Sequence, residues 1–235
     1  MRLNFPFMVN TFFASLKAIP VTLEITIAAL VIAVPLGFFM ALCVIYRVKV
    51  LKQLSQLFIS FIRGTPIVLQ ILIIYSLMPS LLNAFIKSRG WNINIFDINP
   101  IFYAFIVFAV NNSAQLAELF RSSILAIDKG QHEAALASGL SPVKSYIRII
   151  IPQALITAIP NFSNLAIILI KNTSLAFLMT VRDITATAKI EASYGYNYIE
   201  AYFDIFLIYI IVCTIVQLLF DRVESHFSAF RIVKN

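Results

Sequence analysis

Five long stretches of the chain are apolar and nearly free of charge, and they limit what the sequence can fold into. They cover residues 25–46, 64–86, 98–117, 149–181 and 201–220, with Lys171 and Asp204 as the charged residues inside them. A helix needs about 20 such residues to cross the hydrocarbon core of a bilayer. Because 60% of the 235 residues are hydrophobic and only 12% are charged, a soluble domain is excluded. The pattern predicts an all-α integral membrane protein with five transmembrane helices in one domain, 1–235, the spans lying at about 21–46, 61–86, 100–122, 152–181 and 201–222.

The lysine and arginine residues predict how these spans are oriented. With five spans, eleven of these residues fall on one side of the membrane and six on the other. Positive residues concentrate on the cytoplasmic side, so we expect the N-terminus outside the cell and the C-terminus inside. The first span is too long for a signal peptide and is followed by no small-residue cleavage site, so we expect it to be retained. The net charge of +7 then reflects topology, and no nucleic-acid partner is expected.

Reactive side chains are few. The two histidines, His132 and His226, lie far apart and have no cysteine or paired carboxylate beside them, so neither a metal site nor a catalytic nucleophile is expected. Cys43 and Cys213 both fall inside predicted spans, where packed thiols are expected, with a disulfide between them as the alternative.

Three segments are expected at the outer surface. Residues 5–19 form an amphipathic segment that should lie on the membrane, and residues 87–100 and 182–200 form outer stretches, the second partly helical. Trp91 in the first of these stretches suits the interfacial belt. The two outer stretches are open to two interpretations, membrane anchoring and a docking surface for an outside partner. The expected lipid anchors of the first segment are Phe5, Phe7, Phe12 and Phe13.

The segment 127–150 interrupts the apolar pattern on the predicted cytoplasmic side. Residues 132–138 are alanine-rich and favour a helix, and Gly139 can adopt the left-handed conformation that ends one. Ser141 followed by Pro142 is typical of a new helix start, and this second helix should run toward the membrane, with Pro152 at the boundary. The prediction is a rigid helix–turn–helix projection, against the alternative of a plain connecting loop.

This segment resembles the EAA motif of the permease subunits of ABC importers. Glu133, Ala134 and Ala135 are followed by Gly139 and then by Ile149, Ile151 and Pro152, with Ile151 where the family has leucine. With residues 128–131, Asp-Lys-Gly-Gln, the segment resembles more specifically the polar amino-acid permeases, the histidine, glutamine, arginine and cystine uptake family. It covers residues 15–225. The further matches are Thr22 and Leu23, Arg63 to Pro66 with Gln70, Glu118 with Arg121, and Lys171 with Thr173, Ser174 and Leu175.

The resemblance implies a membrane subunit of a type I importer in a bacterial inner (cytoplasmic) membrane. In that family the motif is a coupling helix that docks on a separate ATP-binding subunit, two permeases face each other as a homodimer or a heterodimer, and an extracytoplasmic amino-acid-binding protein delivers cargo. This chain has no G-x-x-x-x-G-K phosphate loop, so ATP and magnesium are expected on the ATP-binding subunit, with no cofactor and no enzymatic activity in this chain. The residues that would couple to the ATPase are Gln131, Glu133, Ala134, Ala135, Gly139 and Ser141.

Polar groups inside the spans point to a pathway, because ionisable residues are costly in a bilayer. Lys171 lies in the middle of the apolar run 160–181, where it can pair with a cargo carboxylate; the alternative is a buried ion pair with Glu118. Asn111, Gln115 and Glu118 share one helix face. Glu118 and Arg121 are open to both a path role and an intrahelical pair. The expected path residues are completed by Asn172, Thr173 and Ser174 and, through the resemblance, by Arg63, Thr65 and Gln70.

Two departures from the family pattern bear on the cargo. Asn172 stands where members commonly have aspartate, and Gln115 stands where an aromatic residue is usual. The missing carboxylate beside Lys171 favours a zwitterionic or anionic amino acid such as cystine, glutamine or glutamate. The alternative function is an ion-coupled secondary amino-acid carrier that uses Lys171 and Glu118 as a charge relay, although no inverted repeat is apparent.

Overall fold

The computed structural model describes residues 3–91 and 94–232, and every regular element in these ranges is helical. The all-α prediction is therefore confirmed. A π-helical turn, Tyr146–Ile150, joins α7 to α8, and 3-10 helices cover Ile95–Asp97 and Thr173–Met179. The α-helices are α1 Phe5–Leu16, α2 Ile19–Ile45, α3 Lys49–Arg63, α4 Ile67–Ser88, α5 Ile101–Leu125, α6 Lys129–Ala137, α7 Pro142–Ser145, α8 Ile151–Asn172, α9 Ile184–Ser193 and α10 Tyr198–Ile232.

Helix α5 forms the centre of the fold, with α2 packed along it and α3, α4 and α8 also in contact. Its side chains Ala104, Val107, Phe108 and Leu116 are fully buried. The approach to α2 is close at Gly37, where a Cβ atom would lie 2.8 Å from the Cβ of Leu116. Because neighbouring helices surround α5, it can carry polar groups that a lipid-facing helix could not.

The predicted number of five spans is not confirmed. In the described part of the chain, four helical runs are long and apolar enough to cross a membrane, at Phe5–Ile45, Ile67–Ser88, Pro142–Met179 and Tyr198–Phe227. Helix α5 has the length of a span, with 25 residues, but is not among them. Its polar stretch at 111–115 lowers its hydropathy, as expected for a helix whose surroundings are mostly protein.

The predicted span 61–86 combines the ends of two separate helices. Residues 61–63 complete α3, which begins at Lys49, and α4 begins only at Ile67. Proline at position 66 has no backbone N–H, so the α-helix cannot pass through it without losing a hydrogen bond. Charge counting could not place this break, because apart from Arg63 the residues on both sides of it are mostly apolar.

The first helix corrects one expectation about the phenylalanines. Phe5 and Phe13 are exposed, as lipid anchors should be. The prediction is wrong for Phe7 and Phe12, because Phe7 packs against alanines of α9 and α10 and Phe12 packs against the cluster that contains Ile208. Helix α1 is thus bound to α9 and α10 rather than lying alone on a surface.

The stretch 182–200 contains α9, as the prediction of a partly helical segment requires. Asp183 caps this helix and is fully buried; its Oδ1 accepts a hydrogen bond from the Ala186 N–H at 2.8 Å. The Tyr209 hydroxyl of α10 donates to the other carboxyl oxygen at 3.4 Å. The cap therefore ties α9 to α10.

Candidate functional site

The segment from Asp128 to Lys144 has the predicted helix, glycine turn and capped restart. Helix α6 starts three residues earlier than predicted, at Lys129, because the Asp128 side chain accepts a hydrogen bond from the Gly130 N–H at 2.6 Å. At its end, Gly139 has φ +85°, and the Leu140 N–H donates to the Ala135 carbonyl at 3.1 Å. This is the 6→1 bond of a Schellman turn, for which glycine is preferred.

The second helix of the segment also begins as expected. The Ser141 Oγ accepts a hydrogen bond from the Lys144 N–H, with Pro142 at the first helical position. Pro152 lies just after the π-helical turn, where the Ile151 N–H donates to the Tyr146 carbonyl five residues earlier. A π turn at this point accommodates a proline that has no N–H to donate. The helical chain therefore continues from the π-helical turn through Pro152, the second residue of α8.

Most residues predicted to couple to a partner face away from the rest of the chain. Gln131, Glu133, Ala134, Gly139 and Ser141 are exposed. The exception is Ala135, which is buried and serves packing within the segment. Apolar side chains lie exposed nearby at Leu136, Val143 and Ile147. The segment thus presents a mixed polar and apolar surface of the kind that suits a protein partner.

His132 fastens the inner face of α6 to the following elements. Its Nδ1 lies 2.9 Å from the Ser145 Oγ, and its ring lies 5.0 Å from the ring of Tyr146, measured between centroids. The Tyr146 ring in turn lies 5.2 Å from the ring of Tyr46 at the end of α2. The segment is therefore held to the end of α2 and to the π-helical turn that leads into α8, so it is not a loose loop.

The polar groups of α5 divide into two sets. Asn111, Asn112 and Ser113 are buried and donate to other groups of the protein, Asn111 to the Gln70 Oε1 at 3.0 Å and the others to backbone carbonyls. Gln115 and Glu118 are only partly buried. The second set is thus the one with surface available for a ligand.

Glu118 and Arg121 form an intrahelical ion pair. Two hydrogen bonds join them, with Arg121 Nη2 at 2.6 Å from the Glu118 Oε1 and Arg121 Nε at 3.0 Å from Oε2. Both side chains keep a third of their surface exposed, and Arg63 lies within electrostatic reach of Glu118. The alternative pairing of Glu118 with Lys171 is wrong, because Glu118 is already engaged on its own helix.

Lys171 lies at the end of α8, where the helix changes to the 3-10 form. It is exposed and has no carboxylate within ion-pair distance in the described ranges. Cys213 of α10 lies within its electrostatic reach. Thr173 is buried and donates its hydroxyl to the Ile170 carbonyl at 2.6 Å, whereas Asn172 and Ser174 are half-buried. Lys171 is therefore available to an anionic group.

Sequence reasoning missed a polar stripe along α8. The polar side chains of this stripe are separated by three, four or seven residues, so they share one helix face. They are at least partly exposed, and Asn161 and Asn164 make no hydrogen bond to another residue that the structure describes. The spacing itself was a usable signal, obscured by the high hydropathy of the run. The members are Gln153, Thr157, Asn161, Asn164 and Lys171.

The described residues contain no group of three or more potential metal ligands. The family model described as binding-protein-dependent transport system inner membrane component matches residues 33–229. This chain belongs to that family. It is a multi-pass membrane component of a transport system.

Relatives and solved structures agree with this assignment. The permease is 37% identical to the probable amino-acid permease protein YxeN of Bacillus subtilis (strain 168), over 95% of this chain and 96% of that protein. It is 34% identical to the L-cystine transport system permease protein TcyL of the same organism, over 97% and 91%. The crystal structure of an amino acid ABC transporter with histidines matches with a TM-score of 0.81 and 30% identity, over 96% of this chain and 100% of that chain.

A methionine ABC transporter in an inward-facing conformation shares the fold, with a TM-score of 0.70 and 17% identity, over 96% of this chain and 99% of that chain. The family model, the relatives and the 30% identical transporter structure confirm the predicted recognition and function, a permease subunit of an amino-acid ABC importer. They do not favour the alternative of a secondary carrier.

Proposed function

We propose that this permease couples to an ATP-binding subunit through the α6–α7 segment and pairs with a second permease to enclose a path for zwitterionic or anionic amino acids. The observation that carries the proposal is that this segment is exposed, that α6 and α7 each begin at a side-chain cap, and that His132 and Tyr146 attach the segment to the rest of the chain. ATP and Mg²⁺ would bind to the separate subunit. An extracytoplasmic binding protein would deliver the cargo from the outside, where the positive-residue bias puts the N-terminus.

The second permease follows from the polar surface that a single chain leaves open. The stripe on α8 is at least partly exposed along its length although it lies on an otherwise apolar helix. Amide and ammonium groups in a bilayer face water, a substrate or another helix rather than acyl chains. A facing permease, identical or a sister protein, would cover this stripe and create a water-filled path between the two chains. Alternating access would follow from the ATPase subunits drawing their two coupling segments together.

The cargo class rests on charge. Lys171 is a cation on this stripe with no ion-pair partner among the described residues, and Asn172 follows it where the family commonly has an acidic residue. A carboxylate on the cargo would be attracted by Lys171, and a cationic side chain would be repelled. Cystine is one amino acid of this class, and a cystine permease is among the relatives. Glutamine and glutamate satisfy the same charge argument.

The first experiment tests the ATPase interaction. The permease is co-expressed with the ATPase encoded beside it, and the complex is isolated in detergent through a tag on the permease. A double variant, Glu133→Arg with Gly139→Val, reverses an exposed charge and strains the turn at φ +85°. We expect the ATPase to co-purify with the unmodified chain and to be lost from the variant.

A matched double variant controls for misfolding. Gly90 also has a positive φ, +70°, with open space around it, and Asp97 is an exposed acid on the predicted outer side. Gly90→Val with Asp97→Arg should retain the ATPase. Stimulation of ATP hydrolysis by individual amino acids, with the binding protein present, then tests the cargo. A preference for arginine or lysine would contradict the proposed cargo class, and a permease that purifies alone and transports on an ion gradient would contradict the coupling role.

A further inference from the structure

The chain is interrupted between α3 and α4 by Gly64, Thr65 and Pro66. Pro66 cannot donate the hydrogen bond that the carbonyl of Ile62, four residues earlier, would receive in a continuous helix. Away from water, an unpaired carbonyl costs free energy, so an interrupted helix needs another donor at this point. The interruption is stable only if some other side chain supplies that donor.

The side chain of Gln70 supplies it. Its Nε2 lies 2.9 Å from the Ile62 carbonyl, 3.2 Å from the Thr65 carbonyl and 2.8 Å from the Thr65 Oγ1. The Thr65 hydroxyl in turn donates to the Phe61 carbonyl at 3.0 Å and also lies 3.4 Å from the Ile62 carbonyl, a longer contact than that of Gln70. Gln70 is 8% exposed and lies one turn into α4. One amide thus replaces the missing backbone donor and connects α4 to the end of α3.

The other end of the same amide reaches α5. The Asn111 Nδ2 donates to the Gln70 Oε1 at 3.0 Å, and Asn111 is also buried. On one side of this contact, Ile59 and Ile62 of α3 pack against Ala114 and Ala117 of α5. On the other side, α4 packs through Ile71 against the part of α5 that contains Phe108. Along α5, Asn111 lies between the residues that contact α3 and those that contact α4. It therefore lies where the direction of α4 relative to α3 is set.

We propose that Gln70 is a positioning residue for transport, which holds the α3–α4 interruption in one geometry and fastens it to α5 through Asn111. Both N–H groups of its amide are used within the protein, so cargo recognition is left to other side chains. The inference rests on the proposed function only in that the chain must transport amino acids for the uptake measurement to apply. The geometry of the interruption itself can be measured without transport.

The test measures the distance between α3 and α4 by pulsed electron spin resonance. Spin labels are attached through Leu57→Cys on α3 and Leu81→Cys on α4, both exposed, in a chain carrying Cys43→Ala and Cys213→Ala. We expect one narrow distance distribution in this background. Gln70→Leu should broaden or shift it, because the Thr65 carbonyl and the Asn111 amide lose their Gln70 partner and the Ile62 carbonyl keeps only the longer contact to the Thr65 hydroxyl, at 3.4 Å.

Two further variants separate the contributions of the individual hydrogen bonds of Gln70 to the distance distribution. Asn111→Ala removes only the connection to α5 and should broaden the distribution less than Gln70→Leu does. Gln70→Glu retains an acceptor for Asn111 but faces the carbonyls with a carboxylate, so it should disturb the distribution even if Gln70→Leu fails to fold. The matched control is Gln56→Leu, which removes an exposed glutamine of α3 and should change nothing.

Uptake into proteoliposomes that contain the assembled importer gives the functional readout. We expect Gln70→Leu to reduce the maximal uptake rate about tenfold, as fits the loss of several buried hydrogen bonds, with the order of preferred amino acids unchanged. An unchanged distance distribution in Gln70→Leu and Gln70→Glu would overturn the positioning role, as would a changed amino-acid preference with a narrow distribution. Failure of the unmodified chain to transport would instead count against the proposed function.

Discussion

At the scale of single residues, Gly37 lies at a close contact of α2 with α5. A Cβ atom there would approach the Leu116 Cβ to 2.8 Å and the Ser113 carbonyl oxygen to 2.9 Å. Since the second contact is with backbone, the helices would have to separate. We expect Gly37→Ala to lower the free energy of unfolding by about 1–3 kcal/mol, the usual cost of overpacking, and Gly37→Leu to lower it further.

Thermal unfolding in detergent, followed by size-exclusion chromatography, measures this effect. Val31→Leu is the control, because it enlarges a side chain on the exposed face of the same helix and should leave the transition temperature unchanged. If Gly37→Ala unfolds at the temperature of the unmodified chain, the close contact between α2 and α5 is not present in solution.

Asp183 should make stability depend on pH. Burial raises the pKa of this carboxyl from 3.8 to about 6, although hydrogen bonds from Ala186 and Tyr209 oppose the increase. The folded protein therefore binds this proton more tightly than the unfolded chain does, so the contribution of Asp183 to stability is greatest below pH about 4 and is lost as the pH rises to about 6. The pKa difference corresponds to up to about 3 kcal/mol.

Unfolding curves recorded between pH 4 and 7 test this prediction. Asp183→Asn retains an oxygen that accepts the hydrogen bond from the Ala186 N–H, but it replaces the carboxyl group that titrates. The difference between the curves of the unmodified chain and of the variant isolates Asp183 from other titrating groups. A constant difference across this range would show that Asp183 does not titrate there.

At the scale of helices, the side chain of His132 helps to attach α6 to the elements that follow it. His132 hydrogen-bonds to the Ser145 hydroxyl and packs on the ring of Tyr146. His132→Ala removes both contacts, so we expect amide hydrogen exchange in 129–137 to accelerate about fivefold, which corresponds to a loss of about 1 kcal/mol. Leu136→Ala, which trims an exposed side chain of the same helix, is the control. Equal exchange in His132→Ala and in the unmodified chain would contradict the attachment.

The helix–turn–helix was predictable from sequence because its signals are local. Gly139 and Ser141 act on backbone groups within a few residues of themselves, through a left-handed turn and a cap, whereas the equally local cap by Asp128, which starts α6 at Lys129, was not predicted. The Glu118–Arg121 pair was also foreseeable as one of two alternatives, because a spacing of three residues brings side chains together on a helix.

Contacts between segments that are far apart in the sequence were harder to predict. The packing of Phe7 on α9 and α10 joins residues nearly 200 positions apart, and a hydrophobic pattern alone does not distinguish a lipid from an alanine-lined helix pair. The role of Gln70 in replacing the donor absent at Pro66 depends on a side chain that folds back on the preceding helix. That Gln70, Thr65 and Asn111 line the substrate path stays a prediction. The structure shows that their side chains form hydrogen bonds within the protein.

At the scale of the whole molecule, the orientation in the membrane decides whether the α6–α7 segment can meet an ATPase. Eleven lysines and arginines on one predicted side against six on the other favour a cytoplasmic position for this segment and an outer position for α9. Two serines allow a matched test, since Ser138 and Ser193 are exposed and each donates its hydroxyl to a carbonyl of its own helix. Either can be replaced by cysteine with little effect on its surroundings.

In a chain with Cys43→Ala and Cys213→Ala, a membrane-impermeant maleimide should label Ser193→Cys on intact cells and Ser138→Cys only after permeabilisation. The reverse pattern would place α6 outside the cell, where no ATP-binding subunit could reach it, and would refute the coupling role together with the orientation. Labelling of both sites from outside would require an even number of crossings between 138 and 193. Because α8 supplies the long apolar run between them, a single crossing is the outcome that its length favours.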